Sequence, residues 1–345
     1  MAGRGEKRSA ITKRAARVSV VIPTWNGGPR FRQVLEALAA QELPESLGGA
    51  FELVVVDSGS RDGTWELAAA FGAHVERIDQ STFNHGATRN FGIGRTRGEL
   101  VALLTQDALP LGSDYLANLF APYEDPRVDG CYARQVPQDD CDPLLAERLR
   151  QWSASRLEPE TKSLVPGDPE ASARRFEELA PLERYLTAAF DDVASSVRRC
   201  TWERIPLPPR SFGEDVAWAR EVLLSGGSIH YEPTAVVEHS HRIDVRRETK
   251  RLYCDHRNLL ELFGLHNVPT WGHVWKGWAH QRRFYRELLA GIDDLSRLER
   301  WYWRAYSVPY ALAETTAQFL GARSHWKVDE SRLWRKVDRA LRQDV

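Results

Sequence analysis

Long apolar runs are missing from this sequence. No run approaches the ~18 consecutive residues that a helix needs to cross a bilayer, and the first residues lack the apolar segment of a signal peptide. We therefore expect neither a transmembrane helix nor a signal peptide. The expected location is the cytoplasm, and peripheral contact with the inner face of the cell membrane is left open.

The sequence also has few cysteines and almost no net charge. The 345 residues include four cysteines, none of them in a CxxC pair, which excludes a zinc knuckle and a disulfide framework and is typical of a reducing cytosol. With 47 Lys and Arg against 48 Asp and Glu, the formal net charge is -1. No global basic field therefore favours nucleic acid, and we expect no nucleic-acid partner.

Two glycine-rich phosphate-binding patterns are also absent. The sequence contains neither GxGxxG nor GxxxxGK[ST]. Their absence disfavours a dinucleotide-binding oxidoreductase and P-loop chemistry.

Alternating apolar runs and amphipathic segments occupy residues 18–110. The short apolar runs predict buried strands, and the apolar residues at helical spacing between them predict helices. The resulting β-α-β-α-β-α-β order predicts a parallel sheet with helices on both faces. The predicted strands are 18–23, 51–56, 74–78 and 100–104.

Two acidic residues follow strands of this predicted sheet. Asp57 ends the second strand and Asp107 follows the fourth, at the edge where open α/β sheets bind ligands. Asp107 could hold a metal ion against a phosphate, or simply cap the next turn. Arg89, on the helix before the fourth strand, is either a cation for a base edge or diphosphate, or an exposed helix arginine.

Further candidate residues lie in the second half of the chain. Glu214 and Asp215 follow Gly213 in the first turn of a predicted helix, where the helix dipole favours acids. A carboxylate held there could equally act as a general base. His239 and His241 alternate along an extended segment, so both rings point to one side. This arrangement suits metal ligands, and packed structural histidines are the alternative.

The composition of two segments, residues 155–180 and the chain from residue 243, predicts mobility in the first and a binding face in the second. Residues 155–180 are polar and carry three prolines and a glycine, which predicts a mobile excursion that could serve as an active-site flap. From residue 243 the pattern is helical, with Trp271, Trp275 and Trp278 on one face beside arginines. This face fits a membrane interface, or an aromatic seam that docks on the main domain or on a second subunit.

Three sets of residues carry a resemblance to a known family. Residues 20–26, 57–64 and the Glu214-Asp215 pair with Pro233 and His239 resemble family 2 glycosyltransferases of the GT-A fold, over roughly residues 18–242. Three further motifs resemble the bacterial rhamnosyltransferase branch of that family: residues 83–92, 105–108 and 237–241.

The resemblance implies an architecture. The fold would be an α/β, Rossmann-like GT-A nucleotide-diphospho-sugar transferase fold with a mainly parallel sheet. Residues 1–17 would form a disordered basic arm and residues 243–345 a helical C-terminal extension. The transferase domain would cover residues 18–242. It would divide into a nucleotide-sugar-binding half, 18–110, and an acceptor and catalytic half, 111–242.

The resemblance also implies a reaction and its residues. The enzyme would transfer a sugar with inversion, from a nucleotide-diphosphate donor to a hydroxyl of a glycan or lipid-linked glycan, in cell-surface polysaccharide synthesis. Asp215 would be the general base, with Glu214 as the alternative. Mg2+ or Mn2+ would bind Asp107 and His239, with His241 in reserve. The donor-binding residues would be Pro23, Thr24, Asn26, Asp57, Ser58, Arg89, Thr105, Gln106 and Asp107.

One position departs from the family pattern. Thr105 replaces the first acid of the DxD motif, an acid that commonly contacts the donor ribose or the metal. Its loss fits a deoxyribose donor that lacks the 2′-hydroxyl, and dTDP-L-rhamnose is therefore the predicted donor. A UDP- or GDP-sugar is the alternative donor. An alternative of another class is a non-catalytic nucleotide-sugar-binding or scaffold protein, although such a protein would have no use for a base.

Overall fold

A computed structural model describes residues 11–12, 16–242 and 244–342, without the side chains of residues 153 and 324–330. The chain divides into two compact units. The first comprises the chain up to Gln138, with Leu149–Glu178 and Thr187–His239. The second comprises Asp139–Arg148, Leu179–Leu186 and the chain from Ser240 onward.

The sheet of the first unit has nine strands within the described residues. In chain order they are β1 Val18–Thr24, β2 Phe51–Asp57, β3 His74–Arg77, β4 Leu100–Leu104, β5 Leu109–Pro110, β6 Val128–Val136, β7 Glu160–Ser163, β8 Ala194–Arg198 and β9 Ser228–Glu238. Their order is β3-β2-β1-β4-β8-β6-β9-β5, and β7 pairs with β9.

Thirteen α-helices lie within the same described ranges. They are α1 Gly28–Ala39, α2 Thr64–Ala70, α3 His85–Ile93, α4 Tyr115–Phe120, α5 Pro143–Arg150, α6 Pro169–Glu178, α7 Pro181–Thr187, α8 Arg199–Arg204, α9 Glu214–Leu224, α10 Val245–Phe263, α11 Trp271–Ala290, α12 Arg297–Glu330 and α13 Arg332–Arg342.

The first half of the sheet follows the predicted alternation of strands and helices. Strands β1 to β4 pair in parallel, and helices α1, α2 and α3 connect them. Strand β4 is buried along its whole length, as expected for a parallel strand covered on both faces. Phe31 and Leu35 of α1 pack against Val20 and Ile22 of β1 in the main core. This part of the fold prediction is confirmed.

The second half of the sheet is mixed rather than parallel. Strand β8 runs antiparallel to both β4 and β6, and β9 is antiparallel to β5 and β7. Within this half of the sheet, β6 and β9 are the only described strands that pair in parallel. The expected mainly parallel sheet is thus restricted to β1–β4, because β8 enters the sheet next to β4 in the opposite direction.

Residues 155–180, predicted to form a mobile excursion, contain a strand and a helix. Strand β7 pairs with β9, from Glu160 opposite Tyr231 to Ser163 opposite Ser228. Helix α6 follows and buries Phe176. The partner strand β9 lies far along the chain, so the local composition did not indicate this pairing.

The predicted basic arm, residues 1–17, falls largely outside the described residues. Of its described part, Ile11 forms an isolated parallel bridge with Phe51, and the Arg17 guanidinium pairs with Glu99. These positions are therefore ordered, because the start of β2 offers Ile11 a backbone partner and an apolar neighbour.

The second unit is helical, as predicted for the C-terminal part of the chain. Leu144 of α5 packs with Tyr285 and Leu289 of α11 and with Tyr310 of α12. This packing places residues 139–148 in the second unit. The sequence, in contrast, predicted a single boundary near residue 242. No helix among the described residues is long and apolar enough to cross a membrane.

Candidate active site

The loops after β1 and β2 are joined by hydrogen bonds at the carboxyl edge of the sheet. The backbone N–H of Asn26 donates to Ser60 Oγ (2.8 Å). The backbone N–H of Gly27 donates to Thr64 Oγ1 (2.8 Å). In return, Asn26 Oδ1 accepts from the backbone N–H of Arg61 (3.0 Å). Asn26 has a φ of 47°, a left-handed conformation that asparagine tolerates better than most residues.

Asp57 is buried at the end of β2, in register with Thr24 of β1. Its Oδ2 accepts from the backbone N–H groups of Gly59 (3.1 Å) and Ser60 (3.0 Å). Ser58 is also buried, and its backbone N–H donates to the Thr24 carbonyl (2.8 Å). The Asp57 carboxylate thus holds the shape of the loop that was predicted to receive the nucleobase.

Gln106 connects the loop after β4 to the loop after β1. Its Oε1 accepts from the backbone N–H of Trp25 (2.9 Å), and its Nε2 donates to the Trp25 carbonyl (3.1 Å). The neighbouring Thr105 has a buried Oγ1 that finds no hydrogen-bond partner within the described residues. Most predicted donor-binding residues therefore lie at strand ends or on the loops that follow them, at one edge of the sheet: Pro23, Thr24, Asn26, Asp57, Ser58, Thr105 and Gln106.

Asp107 and His239, two of the predicted metal ligands, lie side by side. Leu109 of β5 is opposite Glu238 of β9, which brings the residues just beyond them together. His239 Nε2 lies 3.7 Å from Asp107 Oδ1. His241, the third predicted ligand, lies two residues further along the chain, in the second unit. One carboxylate and two imidazoles suit Mn2+, whereas Mg2+ prefers oxygen ligands.

Gln135 orients the His239 ring. Gln135 Nε2 donates to Asp191 Oδ2 (2.6 Å), which leaves its Oε1 facing His239 Nδ1 at 3.2 Å. Because an amide oxygen only accepts, Nδ1 donates to Gln135, and in the neutral ring Nε2, toward Asp107, then carries the lone pair. This is the histidine form that ligates metals. No sequence pattern pointed to Gln135, since its partners are distant in the chain.

Arg30 of α1 is a second residue that the sequence did not reveal. Its Nε donates to the backbone carbonyl of Asp107 (3.2 Å). Its Nη2 donates to the backbone carbonyl (2.9 Å) and the Oε1 (2.7 Å) of Glu238. One guanidinium therefore fixes both segments that carry the metal-ligand candidates.

Four carboxyl groups gather around the start of α9. Glu214 and Asp215 open the helix after Gly213, which has a φ of 72°. Asp215 Oδ2 accepts from the backbone N–H of Asp192 (3.4 Å), and Asp192 follows Asp191 just before β8. Asp191 and Asp192 were not predicted as site residues, although two adjacent acids before a strand could have indicated them.

Burial and mutual repulsion change the protonation of these acids. Burial raises the pKa of Asp215 well above its usual range, and the charges of Glu214 and Asp192 raise it further. Burial also raises the pKa of Glu214 to about 7, although the Arg89 guanidinium opposes this. Asp215 is half-buried and Glu214 is buried, so Asp215 is the more accessible of the two.

Arg89 lies in this acidic cluster. It is 3% exposed, and its Nη1 donates to Glu214 Oε1 (2.5 Å). Its Nη2 donates to the Asp192 carbonyl (3.1 Å), and its Nε lies 3.6 Å from Asp192 Oδ2. The structure thus places Arg89 among these acids, and its predicted role around the nucleobase stays a prediction. The buried acids require a neighbouring cation, and Arg89 provides it.

Two contacts of helix α3 with residues 207 and 208 determine the position of Arg89. The Asn90 side chain donates to the Leu207 carbonyl (2.8 Å) and accepts from the Leu207 N–H (3.1 Å). A Cβ atom at Gly86 would overlap the carbonyl oxygen of Pro208. The helix therefore packs directly on the segment that leads to α9, which sets Arg89 against Glu214.

The chain is similar to known proteins over most of its length. Residues 19–177 match the Glycosyl transferase family 2 profile. The chain is 29% identical over 317 residues to the O-antigen chain rhamnosyltransferase RfbN of Salmonella typhimurium, covering 90% of both chains. It is 26% identical over 315 residues to the O-antigen chain rhamnosyltransferase WbaN of Salmonella anatum, again covering 90% of both.

Solved structures share the fold. The UDP complex of Staphylococcus aureus TarS residues 1–349 superposes with a TM-score of 0.50 and 16% identity, over 90% of this chain and 91% of that one. Glucosyl-3-phosphoglycerate synthase of Mycobacterium tuberculosis, in complex with Mn2+, UDP and glucosyl-3-phosphoglycerate, gives a TM-score of 0.50 and 17% identity, over 74% and 83%. The chain has the GT-A fold, and it contains a glycosyl transferase family 2 domain.

Proposed function

We propose that this glycosyltransferase moves a sugar, with inversion, from a nucleotide-diphosphate donor to a hydroxyl group of a glycan or lipid-linked glycan. The observation that carries the proposal is a continuous set of contacts in the first unit. It runs from Asp107 through His239 and Gln135 to Asp191, next to the acids around Asp215. A metal site and a base in one unit are what such a transfer requires.

Asp107 and His239 are the proposed metal ligands, with His241 as a third. Their donor set fits Mn2+ or Mg2+, and the contact of His239 Nδ1 with Gln135 orients the ring. When bound, the ion neutralises charge on the diphosphate as it leaves. The role of Arg30 is to keep the two ligand-bearing segments together.

Asp215 is the proposed general base. As the acceptor hydroxyl oxygen attacks the anomeric carbon, its proton passes to an Asp215 carboxylate oxygen. The bond between the anomeric carbon and the diphosphate oxygen breaks, and the nucleoside diphosphate leaves with the electron pair. Glu214 is less suited, because its carboxylate is buried against Arg89. One base and no covalent enzyme intermediate suffice for inversion.

dTDP-L-rhamnose is the proposed donor. Two rhamnosyltransferases of Salmonella are similar to this chain over 90% of its length. In addition, Thr105 lacks the carboxylate that would accept a hydrogen bond from a ribose 2′-hydroxyl. The loops that carry Asp57, Ser58 and Gln106 are the proposed nucleotide site. Their hydrogen bonds to one another would preorganise it for the donor.

The proposed place of action is the cytoplasmic side of the cell membrane, where a lipid-linked glycan of a cell-surface polysaccharide is accessible. The relatives' names support this acceptor class, since both are O-antigen chain enzymes. Peripheral membrane contact through the C-terminal helices is the arrangement that we favour over a homodimer, because these helices expose several tryptophans.

Donor hydrolysis without acceptor tests the proposed reaction. The full chain is incubated with Mn2+ and dTDP-L-rhamnose, a UDP-sugar or a GDP-sugar, and release of the nucleoside diphosphate is followed. We expect slow release from dTDP-L-rhamnose and a first-formed sugar of inverted configuration by NMR. Faster release from a UDP- or GDP-sugar would show that dTDP-L-rhamnose is not the donor. No release from any donor would favour a non-catalytic nucleotide-sugar-binding protein.

A further inference from the structure

A cavity of about 460 Å³ in the second unit is lined by four arginines. Arg282, Arg283 and Arg286 come from α11, and Arg304 comes from α12. Ser307 of α12 adds a hydroxyl group to the lining. None of these residues belongs to the proposed donor, metal or base sites.

The positive charge of this arginine cavity is only partly compensated. Arg283 pairs with Glu287 at 3.1 Å, and the Arg282 guanidinium lies over the Trp278 ring at 4.8 Å. Among the described residues, no carboxylate lies within ion-pair distance of Arg286 or Arg304. Guanidinium groups are planar forks that bind phosphoryl oxygens in pairs. Several of them around one cavity favour an anion with several oxygens.

Exposed aromatic residues continue from the arginines along the same helices. Trp271, Trp275, Trp278, Arg282 and Arg286 follow one another at intervals of three or four residues, so they share one face of α11. Trp271 and Trp275 are each 55% exposed. On α12, Trp301 precedes Arg304 by three residues and is 71% exposed. Tryptophan beside arginine is the composition of surfaces that lie at the boundary of a lipid bilayer.

We infer that the arginine cavity binds the phosphoryl group of an anionic lipid headgroup, with the exposed tryptophans at the lipid boundary. Free phosphate shares the chemistry of the headgroup but does not use the tryptophans. A lipid surface satisfies both the cations and the aromatic rings, and it is therefore the ligand that the two observations favour together. The inference goes beyond sugar transfer and is independent of the donor.

Vesicle binding tests this inference. The full chain is sedimented with phosphatidylcholine vesicles that do or do not contain phosphatidylglycerol, and dTDP binding is measured in parallel. The test variant is Arg282→Gln/Arg286→Gln/Arg304→Gln. The matched control, Arg246→Gln/Arg332→Gln/Arg335→Gln, removes three exposed arginines from the same unit. Inorganic phosphate and potassium chloride of equal ionic strength serve as competitors.

We expect binding only to vesicles with phosphatidylglycerol, weakened about a hundredfold in the test variant because each arginine near an anionic surface contributes a factor of roughly five. The control should stay within about threefold of the wild type, and dTDP affinity should be unchanged in both variants. Equal losses in the two triple variants would show that the arginine cavity is not the binding site. Arginine-dependent phosphate binding without vesicle binding would show that the ligand is not a lipid.

Discussion

The Asp215 side chain must lose its own proton before it can accept one from a hydroxyl group. Because burial and the neighbouring carboxylates raise the pKa of Asp215, the carboxylate fraction increases as pH rises through that raised pKa. We therefore predict that the transfer rate at saturating metal rises with pH and levels off well above the range of an ordinary aspartate, about pH 3.9.

The matched variants for this pH profile are Asp215→Asn and Asp114→Asn. Loss of the base should lower kcat by about 100-fold to 10,000-fold and leave dTDP affinity intact. Asp114 precedes α4 and is exposed, so its variant should behave as the wild type. A rate independent of pH, or an active Asp215→Asn enzyme, would exclude Asp215 as the base.

Arg89 provides a second test at the scale of single residues. Arg89→Gln leaves Glu214 and Asp192 buried without their cation, and we predict a loss of about 3 kcal/mol in the free energy of unfolding. The loss should shrink as pH falls, because without Arg89 the pKa of Glu214 rises further above its unfolded value and protonation then relieves the buried charge.

Thermal unfolding monitored at several pH values measures this effect. Arg95→Gln is the control: Arg95 is half exposed and pairs with Glu76, so its loss should stay below about 1 kcal/mol. Folded Arg89→Gln protein should also bind dTDP with unchanged affinity. A large loss of dTDP affinity without loss of stability would restore Arg89 to the nucleotide site.

At the scale of elements, the contact between α3 and the segment before α9 sets the geometry of the acidic cluster. Gly86→Ala introduces a Cβ atom that overlaps the Pro208 carbonyl, so the helix must move away. We predict a destabilisation of about 1–3 kcal/mol and reduced turnover, since Arg89 shifts with the helix relative to Glu214.

Gly94→Ala, at the other end of α3, is the matched control for this prediction. Its added Cβ would approach no atom closer than 3.4 Å, the Asn90 carbonyl oxygen, and stability should hardly change. Denaturant unfolding and donor hydrolysis measure the two effects. Equal stability of the two variants would show that the close contact with Pro208 is unimportant.

The same elements show what could be predicted from the sequence. Strands β1 to β4 were predictable because their apolar runs and intervening helical patterns are local properties of the chain. The position of Asp107 at a strand end followed from the same reasoning. The partner of Arg89 did not, because Glu214 is 125 residues away and nothing in α3 encodes which acid it meets. Gln135 and Arg30 escaped prediction for the same reason.

At the scale of the whole molecule, the chain crosses more than once between its two units. Residues 139–148 and 179–186 belong to the second unit although they lie within the first in sequence. Their membership depends on long-range contacts such as those of Leu144 with Tyr285 and Tyr310, or of Tyr185 with Phe263. The sequence showed only that these segments are amphipathic, which does not specify the surface that they cover.

The central claim is that Asp107 and His239 hold a divalent ion against the diphosphate of the donor. Titration calorimetry of dTDP, with and without Mn2+, tests it on the wild type, Asp107→Ala and the control Asp114→Ala. We predict that Mn2+ tightens dTDP binding by about tenfold or more in the wild type and the control. Asp107→Ala should lose this gain. Binding that is indifferent to Mn2+, or a full gain in Asp107→Ala, would contradict the account.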